Sequence, residues 1–375
     1  MKEGLQSLPA MDPMALGERI LELLGEGAVS TSYKYAVLLS IVELCIEKSG
    51  ISSGPPSMIT TREVAEKVVE LYWTHTLPYS KVALRQSGRG QAELIKLVSE
   101  FRQYRAGDPS KRLAESRREG GRPWQRLLSD VEWKLIEMPL PRLQTVGNRS
   151  DDFLYHIGWD QNIKRGRVRN YQEGDSGAFD NGIYLRPGVA DALVRLSPLL
   201  KPMIRRQWTI LVARLNHLEV SELEDFLFGE ARTALTGTRD LLADLQGNRC
   251  FYCHNPLDQR SEVDHFIPWS RYANNALENL VLAHRTCNHD KRDYLASFEH
   301  IEAWSERMRQ GSSSLRLMRT FADHAGWDHK PERSLAVTSA IYSHLPEGYS
   351  LWQGIRNFVP FEKSRVLSLF HSIKA

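Results

Sequence analysis

Cys250-Phe-Tyr-Cys253 and His284-Arg-Thr-Cys287 set two pairs of soft or borderline ligands, each pair with two residues between its members, about thirty residues apart. That spacing suits a closed tetrahedral zinc site, filled on all sides by protein, which leaves no position for water or substrate. A site of this kind braces a short, loop-rich segment and contributes folding energy; it does not react. His254 and His289 compete with His284 for the fourth place.

Between the two pairs, Val263-Asp264-His265-Phe-Ile-Pro268 begins as a short strand with apolar flanks. Neighbours on a strand point to opposite faces, so Asp264 and His265 can serve different purposes. Glu278-Asn279-Leu280-Val281-Leu282 follows, and a helix after Leu282 carries Asn288 and Lys291. The order and spacing of these residues resemble the HNH, or ββα-metal, endonucleases, in which a zinc-braced hairpin and helix hold one catalytic divalent metal over a scissile phosphate.

The resemblance implies a role for each position. Asp264 binds the catalytic metal, His265 is the general base, and Asn279 orients that base through a hydrogen bond to its loop without touching the metal. Asn288 occupies the place that in many relatives is a third histidine. Its neutral amide oxygen favours magnesium, with manganese as a substitute, where histidine would widen the choice toward softer ions. Lys291, one turn past Asn288, is expected to contact phosphate. Phosphodiester hydrolysis needs a water deprotonated near neutral pH, which an imidazole of pKa about 6.5 supplies. It also needs the developing phosphate charge neutralised, which a hard divalent ion on oxygen ligands supplies.

The elements that must position this site are mainly helical. The chain has 375 residues, enough for two or three domains, with a hydrophobic share of 42% that leaves ample material for a core. Amphipathic runs at Ala15–Leu24, Tyr35–Ile46, Thr61–Trp73 and Gly90–Phe101 predict a helical N-terminal domain, and Thr60 with Glu63 forms a capping-box pattern before the third run. A middle region mixes extended segments, Trp133–Met138, Phe153–Trp159 and Gly182–Leu185, with helices at Val189–Leu196 and Leu199–Asn216. Helices over Phe298–Met308, Leu315–Ala325 and Ser334–His344 follow the metal segment, and a tail rich in Trp, Phe and Leu from Tyr349 onward is expected to dock back. The fold class is therefore α+β, mainly helical, with an HNH ββα-metal nuclease module embedded between helical regions. The expected divisions are a helical domain with a basic linker over 1–128, a mixed α/β domain over 129–245, the nuclease module over 246–297 and a helical region over 298–375.

A formal charge of +3 is only mildly basic, so affinity for nucleic acid must come from local clusters. One runs from Arg102 through Arg105, Lys111, Arg112, Arg117, Arg118 and Arg122 to Arg126, with Gly107, Pro109, Gly120, Gly121 and Pro123 scattered through it. The other is Lys164-Arg165-Gly-Arg167-Val-Arg169, read as a compact loop. Guanidinium forks on such segments suit phosphate contact, and solvated surface charge is the competing explanation.

Three of the four cysteines lie in the ligand pairs and Cys45 lies in an apolar run, so no disulfide framework is implied. The longest early apolar stretch, Tyr35–Ile46, is interrupted by Glu43 and too short to span a bilayer, and the opening residues lack a secretory pattern; a cytoplasmic protein without a membrane partner is expected. Leu227-Phe-Gly229 upstream, the run Asp264-His-Phe-Ile-Pro-Trp-Ser270 and Ala303-Trp-Ser-Glu-Arg307 downstream resemble a group of bacterial HNH proteins that includes nuclease subunits of anti-phage defence systems such as the Zorya or Septu type. That resemblance implies DNA as substrate and protein partners from a defence operon. The expected activity is metal-dependent hydrolysis of DNA, one strand at a time from a monomer. An RNase using the same site, a zinc-braced binding protein without catalysis, and an effector activated by a partner are the rivals.

Overall fold

The computed structural model describes residues 9–25, 30–50, 54–88, 92–106, 112–146, 149–229 and 235–373. Two compact units emerge, one of Met1–Cys45 with Pro55–Gly229, the other of Ile46–Gly54 with Glu230–Ala375. Among the expectations above, Gly90, Gly107, Pro109, Lys111 and residues 231–234 lie outside the described residues. The architecture is α+β and mainly helical, with small sheets. No helix among the described residues is long and apolar enough to cross a membrane.

The first unit contains helices α1 (Pro13–Gly25), α2 (Tyr33–Lys48, whose last turn belongs to the second unit), α3 (Thr61–His75), α4 (Glu93–Ala106), α5 (Leu113–Glu119), α6 (Gly121–Glu137), α7 (Pro139–Arg142), α8 (Arg165–Gln172), α9 (Val189–Asn216) and α10 (Val220–Phe228). Strands β1 (Met58–Thr60), β4 (Tyr155–Ile157) and β5 (Gly182–Leu185) form an antiparallel sheet in the order β1-β5-β4, while β2 (Thr145–Val146) pairs with β3 (Arg149–Ser150). The capping box is present: Thr60 accepts from the Glu63 backbone N–H, and Glu63 accepts from the Thr60 backbone N–H at 2.8 Å. Helix α2 is apolar nearly all round and buried, and its one interior acid is neutralised, since Glu43 lies 3.1 Å from Lys201 and 3.8 Å from Lys67 and Arg205.

Three segments differ from the sequence expectation. Trp133–Met138, read as extended, falls almost wholly in the last turns of α6, because Trp124, Leu127, Leu128, Val131, Leu135 and Ile136 bury one stripe at helical spacing over a longer window. The basic segment read as a loop is helix α8, closed onto the core where Val168 packs with Trp133, Ile136 and Phe179. The two helices expected over 189–216 are the single helix α9, which continues through Pro198 and Pro202. Its buried stripe, including Leu193, Leu200, Ile204, Trp208 and Leu211, packs against α1 and α10, and that packing offsets the lost hydrogen bonds.

In the second unit a 3₁₀ turn (Leu235–Thr238) leads to α11 (Arg239–Leu245), then strands β6 (Glu262–His265) and β7 (Leu280–Ala283), helix α12 (Arg285–Lys291), and α13 (Phe298–Glu306), α14 (Ser313–Ala325) and α15 (Pro331–Ser343). A hairpin of β8 (Ser350–Gly354) and β9 (Asn357–Pro360) and helix α16 (Lys363–Ile373) complete it. Leu351, Trp352, Phe361, Val366 and Phe370 are buried, so the apolar tail docks back within its unit, partly as a hairpin.

Candidate active site and metal knuckle

Strands β6 and β7 pair antiparallel, Asp264 opposite Val281 and His265 opposite Leu280, and α12 follows at once: a ββα unit. Gln246 extends the pairing as a side chain, its amide donating to the Leu282 carbonyl at 2.7 Å while its oxygen accepts the Leu282 N–H at 2.8 Å. The knuckle is tied to the same carbonyl by the Phe251 N–H at 3.0 Å.

Cys250, Cys253, His284 and Cys287 present ligand atoms that all lie within 4.8 Å of one another. His284 completes this set, and neither His254 nor His289 belongs to it. The imidazole is oriented by its far side: Nε2 donates to the Pro256 carbonyl at 2.9 Å, which leaves Nδ1 as the basic nitrogen, 3.2 Å from the Cys253 sulfur. The neighbouring Cys287 sulfur pulls the Cys250 thiol down to about 4, and the Cys250 sulfur together with burial pushes the Cys287 thiol up. Three sulfurs with one imidazole are the donor set of structural zinc.

His265 is buried, and its Nε2 lies 2.7 Å from the Asn275 side-chain oxygen. A neutral ring that keeps its Nε2 hydrogen on Asn275 has Nδ1 as its proton acceptor. The loop after His265 is gripped by Asn279, whose side-chain oxygen accepts from the Ile267 N–H at 2.8 Å and whose amide donates to the carbonyls of Ile267 at 3.1 Å and Asn274 at 3.0 Å. Asn279 is held in turn by its neighbours: Trp304 donates to the Glu278 carbonyl at 2.7 Å, and both terminal nitrogens of Arg307 reach the Leu280 carbonyl at 3.2 Å. Phe266 stacks flat on Trp304 with centroids 5.1 Å apart.

Asp264 accepts from the Tyr252 hydroxyl at 2.6 Å and pairs with Lys291 at 3.0 Å. The expected phosphate contact of Lys291 gives way to a different placement. Lys291 is fully buried, its ammonium also donating to the His265 carbonyl at 2.9 Å, because the face of α12 that carries it packs on the hairpin. Asn288 donates its amide to Glu262 at 3.0 Å, which leaves its side-chain oxygen as the atom able to meet a cation. Glu262 precedes Asp264 by two residues on β6, so both carboxylates share one strand face.

Sequence reasoning passed over Glu262, Asn275 and Tyr252. The two-residue period of a strand was signal enough for Glu262, once Asp264 had been singled out. Asn275 lies in an irregular stretch and Tyr252 inside the knuckle, and neither has a spacing that marks it. Of the other expected residues, Lys164, Arg165, Arg167 and Arg169 lie together on or just before α8 in the first unit and are exposed.

Residues 250–297 match the family model described as HNH endonuclease, and the chain therefore contains an HNH endonuclease domain. No curated protein and no solved structure matches the chain.

Proposed function

We propose that this protein is a metal-dependent endonuclease that hydrolyses phosphodiester bonds of DNA, one strand at a time. The observation that carries the reading is the fixed imidazole of His265: buried, held through Nε2 by Asn275, and followed by a loop that Asn279 grips at three points, all inside the segment that matches HNH endonucleases.

His265 takes the proton of the attacking water on Nδ1, and the Asn275 oxygen stabilises the imidazolium that results. Asp264 and the side-chain oxygen of Asn288 hold magnesium, or manganese in its place; their hard oxygen donors and the nearby Glu262 carboxylate fit such an ion, and the histidine that would suit a softer one is absent from this position. When bound, the ion neutralises charge developing on the phosphate and the leaving oxygen. Asn279 acts as a positioning residue. Zinc at Cys250, Cys253, His284 and Cys287 braces the hairpin without entering the chemistry.

The exposed cations of α8 make a nucleic-acid-binding face. Action against phage or other foreign DNA, with partners encoded in a defence operon, is the biological setting that the Leu227–Gly229 and Ala303–Arg307 resemblances support.

Supercoiled plasmid, incubated with zinc-loaded protein and magnesium, should relax to open circles. An RNA of matched sequence should survive. Cleavage of RNA that stops when the 2′-hydroxyl is removed, with plasmid untouched, would replace DNA by RNA as substrate.

A further inference from the structure

We infer that the first unit holds a binding pocket for a phosphorylated nucleoside. A cavity of about 630 Å³ opens beside β4 and α8, with His156, Trp159, Asp160, Asn162, Lys164 and Arg167 in its wall. The volume is that of a small-molecule site. The inference rests on the nuclease reading for its choice of a nucleotide among aromatic anions; the preference for an aromatic anion comes from the pocket itself.

The floor is a rigid aromatic. Trp159 donates its indole N–H to the Ile136 carbonyl at 3.1 Å and packs edge-on against Phe179 at 5.0 Å, over the core of Trp133, Ile136 and Val168. A fixed indole at the edge of a core is a stacking surface for a base, and its ordering cost has been met on folding. The rim is cationic: Lys164 and Arg167 are exposed and make no ion pair among the described residues, Arg167 bonding only the Ala178 carbonyl at 3.3 Å. Both stand at the start of α8, whose first turn has no acid. A phosphate there meets two cations.

The remaining wall is polar and specific. Asp160 is fixed by the Asn162 backbone N–H at 2.8 Å, and Asn162 stands beside it in the wall. A carboxylate acceptor and an amide beside a stacking platform suit the amino and hydroxyl groups of a nucleoside better than a plain phosphate.

The test uses the full zinc-loaded chain carrying His265→Ala, without magnesium, so that no cleavage intervenes. Calorimetry compares a deoxynucleoside monophosphate, a short single-stranded oligodeoxynucleotide and inorganic phosphate, each against Lys164→Ala/Arg167→Ala and against Arg195→Ala. Arg195 is an exposed cation of α9 outside the pocket wall and outside the basic face of α8, and all three side chains are exposed, so the fold survives their removal. Saturable binding of the monophosphate, weakened about tenfold or more in the double variant and less than about twofold in Arg195→Ala, is expected for a free nucleotide. The same pattern confined to the oligonucleotide identifies a nucleotide within a strand. Absence of binding by both probes, equal losses in the double variant and Arg195→Ala, or inorganic phosphate binding as well as the nucleotides would overturn the inference. If the pocket fails while plasmid relaxation persists, the nuclease reading stands; if nucleotides bind and no nucleic acid is cut, the pocket stands and the nuclease reading falls.

Discussion

The Nε2 of His265, at the end of β6, and the side-chain oxygen of Asn275, ten residues on in the loop that follows, lie 2.7 Å apart. This contact decides which ring nitrogen is basic and stabilises the ring once it is protonated. Asn275→Ala should therefore lower the cleavage rate roughly 10- to 100-fold, the equivalent of one hydrogen bond to a charged group at about 1.5–3 kcal/mol. Substrate affinity should change little. A fall in KM-dependent terms alone, with kcat intact, would show that Asn275 does not act through His265.

Asn279→Ala removes three buried hydrogen bonds from the loop that follows His265. A loss of about 2–4 kcal/mol in urea denaturation of the second unit is expected, with cleavage reduced although His265 remains. Asn279→Asp keeps the acceptor for Ile267 but not the donors, and should fall between the alanine variant and the wild type.

The residues of the candidate site could be singled out because the proposed metal ligands and catalytic groups are constrained in type and spacing at once: two ligand pairs, Asp264 beside His265, and Asn288 on the next helix fall within a short stretch. What holds them could not be. Trp304, Arg307 and Trp327 donate to backbone carbonyls at Glu278, Leu280 and Asn275, and a carbonyl leaves no trace in the sequence of the residue that offers it. Trp352 reaches back 62 residues to the Asp290 carboxylate of α12 at 2.8 Å, a partnership of separation rather than pattern. In the first unit, short windows misled: Trp133–Met138, of which all but Met138 lies in α6, looks extended until the whole buried stripe is counted, and the two runs read as separate helices are one α9, which packing carries through Pro198 and Pro202.

Lys291 and Asp264 form a buried pair, and Lys291→Met leaves the carboxylate without its cation. A loss of about 3–5 kcal/mol is expected. Magnesium should return part of it, raising the melting temperature of the variant more than that of the wild type, because the ion takes over as partner to Asp264. Equal magnesium effects on the two proteins would remove Asp264 from the ligand set.

His75 gives the first unit a pH dependence of its own. It is wholly buried among Tyr72, Trp208 and Phe228, with Nε2 donating to the Leu227 carbonyl at 3.1 Å, and burial pushes its pKa from 6.5 down to about 3. Between those values the unfolded chain takes up a proton that the folded chain refuses, so stability is full above about pH 6.5 and falls as the pH drops toward 3, by up to about 1.4 kcal/mol per pH unit. Urea titrations of wild type and His75→Gln across that window should give a steeper slope for the wild type. Parallel slopes would contradict the assignment.

Zinc should be required for the fold of the second unit, and Cys287→Ser should bind it weakly and expose the knuckle to proteolysis. The loss should deepen as the pH falls, since protons compete with zinc for its thiolate ligands. A variant that keeps one equivalent of zinc and its protease resistance would contradict the four-ligand assignment.

The most direct test of the account is the rate of supercoiled plasmid nicking in magnesium by wild type and by His265→Ala, matched for zinc content and circular dichroism. The account predicts open circles from the wild type and a rate lower by about 10²- to 10⁴-fold in the variant. Nicking by His265→Ala at the wild-type rate would contradict it.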